Sequence, residues 1–205
     1  MLRIVDHPVI RERLTRLRAA DTETSVFRHA LHDISRLMCF EVTRDFETKP
    51  VEVETPLATT DGHRLVRPVV LVPVLRAGLG MLHGFSEILT EASVGCIGLR
   101  RDEESLEARG YYRNLPKHLP EADVILVDPM LATGNSGAEA ADQLKQAGAR
   151  RIRFACLVAS PEGVESFGRR HPGIEVYAAA LDERLDERSF IVPGLGDAGD
   201  RYFGT

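Results

Sequence analysis

Five apolar runs constrain the fold of this chain more than any other feature: Val69 to Val74, Val94 to Leu99, Val124 to Val127, Ile152 to Ala159 and Ile174 to Ala180. Each is continuous rather than alternating, as strands buried on both faces of a parallel sheet are. Between them the spacing predicts helices near Leu79 to Glu91, Ser136 to Ala147 and Glu162 to Arg170, the middle one stopped by Gly148 at a C-cap position. The expected fold class is α/β, an open and mainly parallel sheet flanked by helices. Ligands in such sheets gather outside the carboxyl ends of strands, so the loops after Val74, Leu99, Val127 and Ala180 should converge.

Ahead of this unit, Ile10, Leu14 and Leu17 form one helical stripe and Phe27, Leu31, Ile34 and Met38 a second, so the chain is expected to begin with two helices. Val51-Glu52-Val53-Glu54 alternates like a half-exposed strand. Pro56 to Arg67 fits a hairpin or loop around Asp61-Gly62, a β-hairpin excursion from the main sheet. At 205 residues a single domain over 1–205 is expected.

Composition removes several function classes. With 43% hydrophobic and 28% charged residues the chain is not disordered. No window approaches the roughly 18 apolar residues of a membrane span. Asp6 interrupts the N-terminus before an apolar signal region could form, which predicts a cytoplasmic protein with no membrane partner. The net charge of -5 argues against a nucleic-acid partner. Cys39, Cys96 and Cys156 are odd in number, far apart and set in apolar segments, so they read as buried thiols. None of the seven histidines stands in a His-x-x-x-His or Cys-His spacing, and each reads as a surface or core residue. Nucleophile-elbow, triphosphatase and dinucleotide glycine motifs are absent.

The chemistry concentrates where Val124 to Val127 runs into Asp128, Pro129, Met130, Leu131, Ala132, Thr133, Gly134, Asn135 and Ser136. A strand, a small-residue turn and a helix start together make a phosphate cradle, with backbone amides and the Thr133 and Ser136 hydroxyls as donors. A carboxylate beside a phosphate is repulsive unless it faces something else, and sugar hydroxyls are the natural partner for Asp128. The ligand is therefore expected to be a ribose phosphate. Leu75-Arg76-Ala77-Gly78-Leu79-Gly80 offers a cation and two glycines on the same sheet edge. Arg100 to Tyr112 reads as a mobile flap, with Arg101 at a strand end where it could meet a pyrophosphate. The segment from Phe190 to Thr205 carries four glycines after Pro193 and reads as a shaped loop whose main chain can pair with a flat polar ring.

These three motifs, Asp128 to Ser136, Leu75 to Gly80 and Pro193-Gly194-Leu195-Gly196-Asp197-Ala198-Gly199-Asp200, closely resemble those of the uracil phosphoribosyltransferases, a family of the type I phosphoribosyltransferase superfamily, over nearly the whole length. Proline at 129, where most of the superfamily has a second acid, is specific to that branch. The resemblance implies a type I phosphoribosyltransferase fold with a C-terminal hood over the base. It implies transfer of the phosphoribosyl group of 5-phosphoribosyl 1-diphosphate (PRPP) to N1 of uracil, giving UMP and diphosphate with Mg²⁺, in pyrimidine salvage. PRPP would be bound by Arg76, Arg101, Asp197 and the Asp128 to Ser136 loop. Uracil would meet Ile191, Gly196, Asp197 and Ala198. No covalent nucleophile and no protein ligand to the metal are implied, Mg²⁺ arriving mainly on PRPP. A homodimer or higher assembly through the N-terminal helices, and a GTP effector in some bacterial members, complete the implication.

The one departure is Asn135, where the family usually has glycine. If the position needs a positive φ, asparagine is the least costly substitute. Two rival readings use the same fold: a PRPP- or nucleotide-sensing regulator without turnover, and a transferase acting on a purine or orotate.

Overall fold

The computed structural model describes residues 1–101 and 108–205, with the side chains of 101–109 outside the description. The chain opens with β1 (Leu2–Ile4), α1 (Pro8–Arg18) and α2 (Thr24–Val42), followed by the antiparallel hairpin of β2 (Thr48–Glu54) and β3 (Thr59–Leu65). The alternating unit comprises β4 (Val69–Leu75), α3 (Gly78–Ile88), β5 (Ser93–Val94), β6 (Cys96–Arg101), β7 (Ala108–Asn114), β8 (Asp123–Val127), β9 (Met130–Leu131), α4 (Asn135–Gln146), β10 (Arg151–Ala159), α5 (Pro161–Arg170) and β11 (Glu175–Leu181). The chain ends with β12 (Arg184–Leu185), β13 (Ile191–Val192) and α6 (Ala198–Phe203).

The main sheet runs β1, β11, β10, β8, β4, β6, β7, with β5 beside β4 and β9 beside β10. Its pairings are parallel except for β7, which runs antiparallel to β6. Side chains of β10 show why the run reads as unbroken: Ala155 and Leu157 enter the core shared with α1, α2 and α3, while Phe154 and Cys156 enter the opposite core with α4 and α5. Both faces are covered, so alternation disappears. Phe27, Leu31, Ile34 and Met38 are fully buried, and their stripe fixes the rotation of α2 on the sheet.

The structure corrects the expected start of the chain. It begins with an edge strand, Leu2 pairing with Val176 and Ile4 with Ala178, before the two helices. Of the segment read as a flap, the described part is the ribbon of β6 and the edge strand β7, whose polar, exposed residues hid its pairing; residues 102–107 fall outside the description. Cys39 and Cys156 are buried as expected, but Cys96 is only half-buried at the start of β6. Gly148 takes φ +93° just past α4 and its N–H closes on the Lys145 carbonyl, confirming it as the stop.

Candidate active site

The loop after β8 keeps to the sheet before it leaves it. The Asp128 N–H donates to Ala155 O at 3.2 Å, the Pro129 carbonyl accepts from Leu157 and Val158, and β9 then pairs with Val158 and Ala159. Asp128 is thereby fixed at the crest between two short parallel pairings. The chain turns at Ala132, Thr133 and Gly134 and enters α4.

That turn is braced from behind by α5. Ser160 Oγ donates to Ala132 O at 2.6 Å and accepts the Gly163 N–H at 2.9 Å, serving loop and helix cap together. At Gly163 a Cβ would stand 2.2 Å from Ala132 O, so only glycine permits this contact. Gly134, the N-cap of α4, has φ +83° and no side chain of its own; the Asn135 N–H makes only a long 3.5 Å bond to Thr133 Oγ1, so the first amides remain open to an anion.

The opposite wall is the C-terminal segment. Arg201 ties it to the end of α1, donating to Leu17 O, to Leu195 O at 2.8 Å and to Ala19 O at 2.6 Å. Gly194 and Gly196 take positive φ, and Asp197 caps α6 by accepting the Asp200 N–H at 2.9 Å. Between the walls lies a cavity of about 280 Å³.

Most of the predicted residues meet in this cavity. Asp128, Met130, Leu131, Ala132, Thr133, Gly134 and Ser136 line it from one side, and Ile191, Gly196, Asp197 and Ala198 from the other. Three do not line it. Pro129 is committed to the sheet through its carbonyl, and Asn135 faces solvent at the first turn of α4. Arg76 stands outside the wall, its guanidinium 3.4 Å from the exposed Asp200 and 5.4 Å from the centre of the half-buried Phe203 ring. Arg101 ends β6 with its side chain outside the description.

The left-handed residue of the turn is Gly134, not Asn135, which begins α4 and has no positive φ. Asparagine at 135 therefore meets no backbone strain. The cavity also includes residues not assigned from the sequence: Ala77, Gly137, Arg188, Ser189, Phe190 and Gly199. Arg188 and Phe190 reach it because Asp186 Oδ1 accepts both of their N–H groups and Ser189 turns with φ +65°. The Asp186-to-Ser189 pattern of an Asx turn was the available signal.

Electrostatics single out Asp128. It is buried, and its only hydrogen bond as an acceptor among the described residues is a long one from the Met130 N–H, 3.5 Å. Burial pushes its carboxyl up to about 7, against a smaller opposing effect of that N–H. The same burial, with the Asp128 charge added, pushes the Cys156 thiol far up and leaves it inert. A buried carboxylate short of donors suits a ligand rich in hydroxyls.

Among the described residues, no three His, Cys, Asp or Glu donors gather in the cavity. Asp197 is occupied as a cap and Asp200 by Arg76. This donor set fits a metal brought by a ligand better than one caged by the protein.

The model of the family described as uracil phosphoribosyltransferase matches residues 4–205. The uracil phosphoribosyltransferase of Malacoplasma penetrans is 48% identical over 202 residues, covering 98% of each chain. The solved structure of the AQ2163 protein from Aquifex aeolicus superposes with a TM-score of 0.95 at 32% identity, covering 100% of this chain and 99% of that one. A purine phosphoribosyltransferase from Pyrococcus horikoshii shares the fold alone, with a TM-score of 0.50 at 18% identity over 75% of this chain and 87% of its own.

Proposed function

Because the chain belongs to the uracil phosphoribosyltransferase family, we propose that it transfers the phosphoribosyl group of PRPP to N1 of uracil, forming UMP and diphosphate in cytoplasmic pyrimidine salvage. The observation that carries this is the pairing of a donor-poor buried carboxylate, Asp128, with the weakly capped amides of α4. Ribose hydroxyls answer the first and a 5-phosphate answers the second. Neither need is met by a plain apolar ligand.

In this reading the Thr133 to Ser136 turn holds the 5-phosphate through main-chain N–H groups and the Thr133 and Ser136 hydroxyls. Asp128, ionised, accepts from the ribose hydroxyls and stands near the carbon that becomes cationic as the diphosphate leaves. Arg76 exchanges Asp200 for the diphosphate, and Arg101 meets it from the end of β6. Both stabilise charge that grows on the leaving group. Mg²⁺ bound together with PRPP would neutralise part of that same charge. Ile191, Gly196 and Ala198 present main-chain groups to uracil, and Asp197 lies against the ribose phosphate side of the cavity. No protein nucleophile is required.

The single domain over 1–205 suits this reading, and so does a homo-oligomer: Val9, Val26 and Phe40 of α1 and α2 are exposed, Phe40 at 65%. GTP is an effector to be tested beside the substrates. No helix among the described residues is long and apolar enough to cross a membrane. A sensor on the same fold is disfavoured by the net charge of -5. Formation of UMP from uracil, PRPP and Mg²⁺, measured with a panel of bases and with and without GTP, is the direct test. Ligand binding without UMP would reject the transferase.

A further inference from the structure

Helices α2 and α3 pack tightly at Gly84, where a Cβ would stand 2.6 Å from the His32 carbonyl oxygen and 2.6 Å from the Ser35 Cβ. This contact stacks His32 of α2 on His83 of α3, ring centroids 4.4 Å apart and planes 27° from parallel. Glu87, one turn beyond His83, addresses both rings. Its Oε2 is 3.3 Å from His32 Nε2 and its Oε1 is 3.8 Å from His83 Nε2. One donor atom from each of the three residues lies within 4.8 Å of the others. His32 Nε2 is buried and makes no hydrogen bond among the described residues.

We propose that His32, His83 and Glu87 form a site for a divalent transition metal ion of the Zn²⁺ type that clamps α2 to α3. Two imidazoles and one carboxylate are a known set for that class of ion, leaving a fourth position for water. Donors in a tetrahedral site with bonds of ~2.0–2.1 Å sit about 3.3 Å apart; the His32–Glu87 pair already has that spacing, and the set, within 4.8 Å, closes to it by rotation of the exposed side chains. His83 and Glu87 are exposed enough to adjust. His32, held below its ordinary range by burial, keeps a neutral ring with a lone pair to offer. Arg36, 3.2 Å from Glu87, is the competing cation and is half-exposed, so it can swing into solvent. A nitrogen-rich set of this kind does not suit Mg²⁺, which separates the site from the metal of the reaction. Since α3 starts at Gly78, two residues after Arg76, the clamp would also steady the loop bearing that arginine.

The test is a Co²⁺ titration of the untagged full chain, read by visible absorption, together with thermal unfolding in Zn²⁺. The expected result is tetrahedral Co²⁺ bands at one equivalent, bleached by Zn²⁺ and unaffected by excess Mg²⁺, with a higher Tm in Zn²⁺. His83→Ala and Glu87→Gln, both at solvent-facing positions, should weaken Co²⁺ at least as much as the ~10–100-fold seen when an outer-sphere partner is lost. His29→Ala, an exposed histidine on α2, should change nothing. Absence of bands in the wild-type chain, or equal Co²⁺ affinity in His83→Ala, would overturn the site.

Discussion

The guanidinium of Arg18 meets the carboxylate of Asp182 end-on, Nη1 2.8 Å from Oδ2 and Nη2 2.5 Å from Oδ1. Oδ2 also accepts the Gly194 N–H at 2.8 Å, while Arg18 Nη1 donates to the Gly194 carbonyl at 2.7 Å. One ion pair therefore fixes both polar groups of a residue at φ +61° that turns the tail over the cavity. The end of α1, far from the site in sequence, sets the shape of the wall assigned to uracil.

Arg18→Ala should accordingly act on the base and not on the sugar phosphate. The Asp182 side chain is 4% exposed, and stripping a buried carboxylate of its cation costs about 3–5 kcal/mol. Arg18 itself is a quarter exposed, which brings the expected loss toward about 2–3 kcal/mol once water replaces it. Steady-state kinetics should show a raised KM for uracil with the KM for PRPP nearly unchanged. Equal changes in both would separate the ion pair from base binding.

Asp128→Asn should stabilise the free protein while crippling it. The Asp128 carboxyl is raised from 3.8 to about 7 in the fold. A group raised in this way contributes stability that is fully present below the unfolded value and is lost as pH climbs through about 7. At about 1.4 kcal/mol per unit, the ionised carboxylate costs roughly 2–4 kcal/mol at pH 8. Urea unfolding should therefore find the Asp128→Asn variant more stable than the wild type at pH 8 and the difference gone below about pH 4. Hydrogen bonds to a charged group are worth ~1.5–3 kcal/mol, so PRPP affinity should drop about 10–100-fold. In the wild type kcat/KM for PRPP should fall on the acid side of about pH 7, because hydroxyl donors need the ionised form.

What the sequence disclosed and what it concealed divide along physical lines. Val124 to Val127 and Ile152 to Ala159 were legible because burial on two faces removes polar residues from a strand. The turn at Thr133-Gly134 was legible because small residues mark a tight strand-to-helix junction, and Gly134 takes φ +83° there. Leu2 to Ile4 was not, since three residues carry too little pattern and their order comes from pairing with Val176 to Ala178. Phe190 reaches the cavity through an Asx turn at Asp186 and a left-handed Ser189, a route no hydrophobic period records. His32 and His83 are neighbours only because Gly84 lets two helices touch.

The two residues at the mouth of α4 should respond very unequally to mutation. At Gly134 a Cβ would meet Gly163 O at 2.8 Å and Phe167 N at 3.2 Å, besides straining a φ of +83°. Gly134→Ala should push the turn off α5 and cost about 1–3 kcal/mol, with a large rise in KM for PRPP. Asn135 is already helical, so Asn135→Gly changes only helix propensity, about 0.3 kcal/mol. Its KM for PRPP should stay within about twofold, roughly 0.4 kcal/mol. A strong loss in Asn135→Gly would show that its amide has a task of its own.

Discrimination among bases should reside in the main chain of the tail. Uracil offers acceptor, donor, acceptor along one edge, whereas cytosine reverses the sense at its amino group and N3. Gly194 and Gly196 hold positive φ, and Arg201 and Asp182 lock the peptides around them, so the backbone partners cannot reorient to suit the wrong edge. Unmatched polar groups in such a site can cost a factor of roughly 10⁴ or more in kcat/KM. Cytosine should therefore be turned over at least that much more poorly than uracil. Because the readout is by peptide groups, Ala198→Gly should leave the uracil-to-cytosine ratio almost unchanged even where KM rises for both. Comparable turnover of the two bases by the wild-type enzyme, or a ratio that collapses in Ala198→Gly, would assign the selectivity to side chains instead.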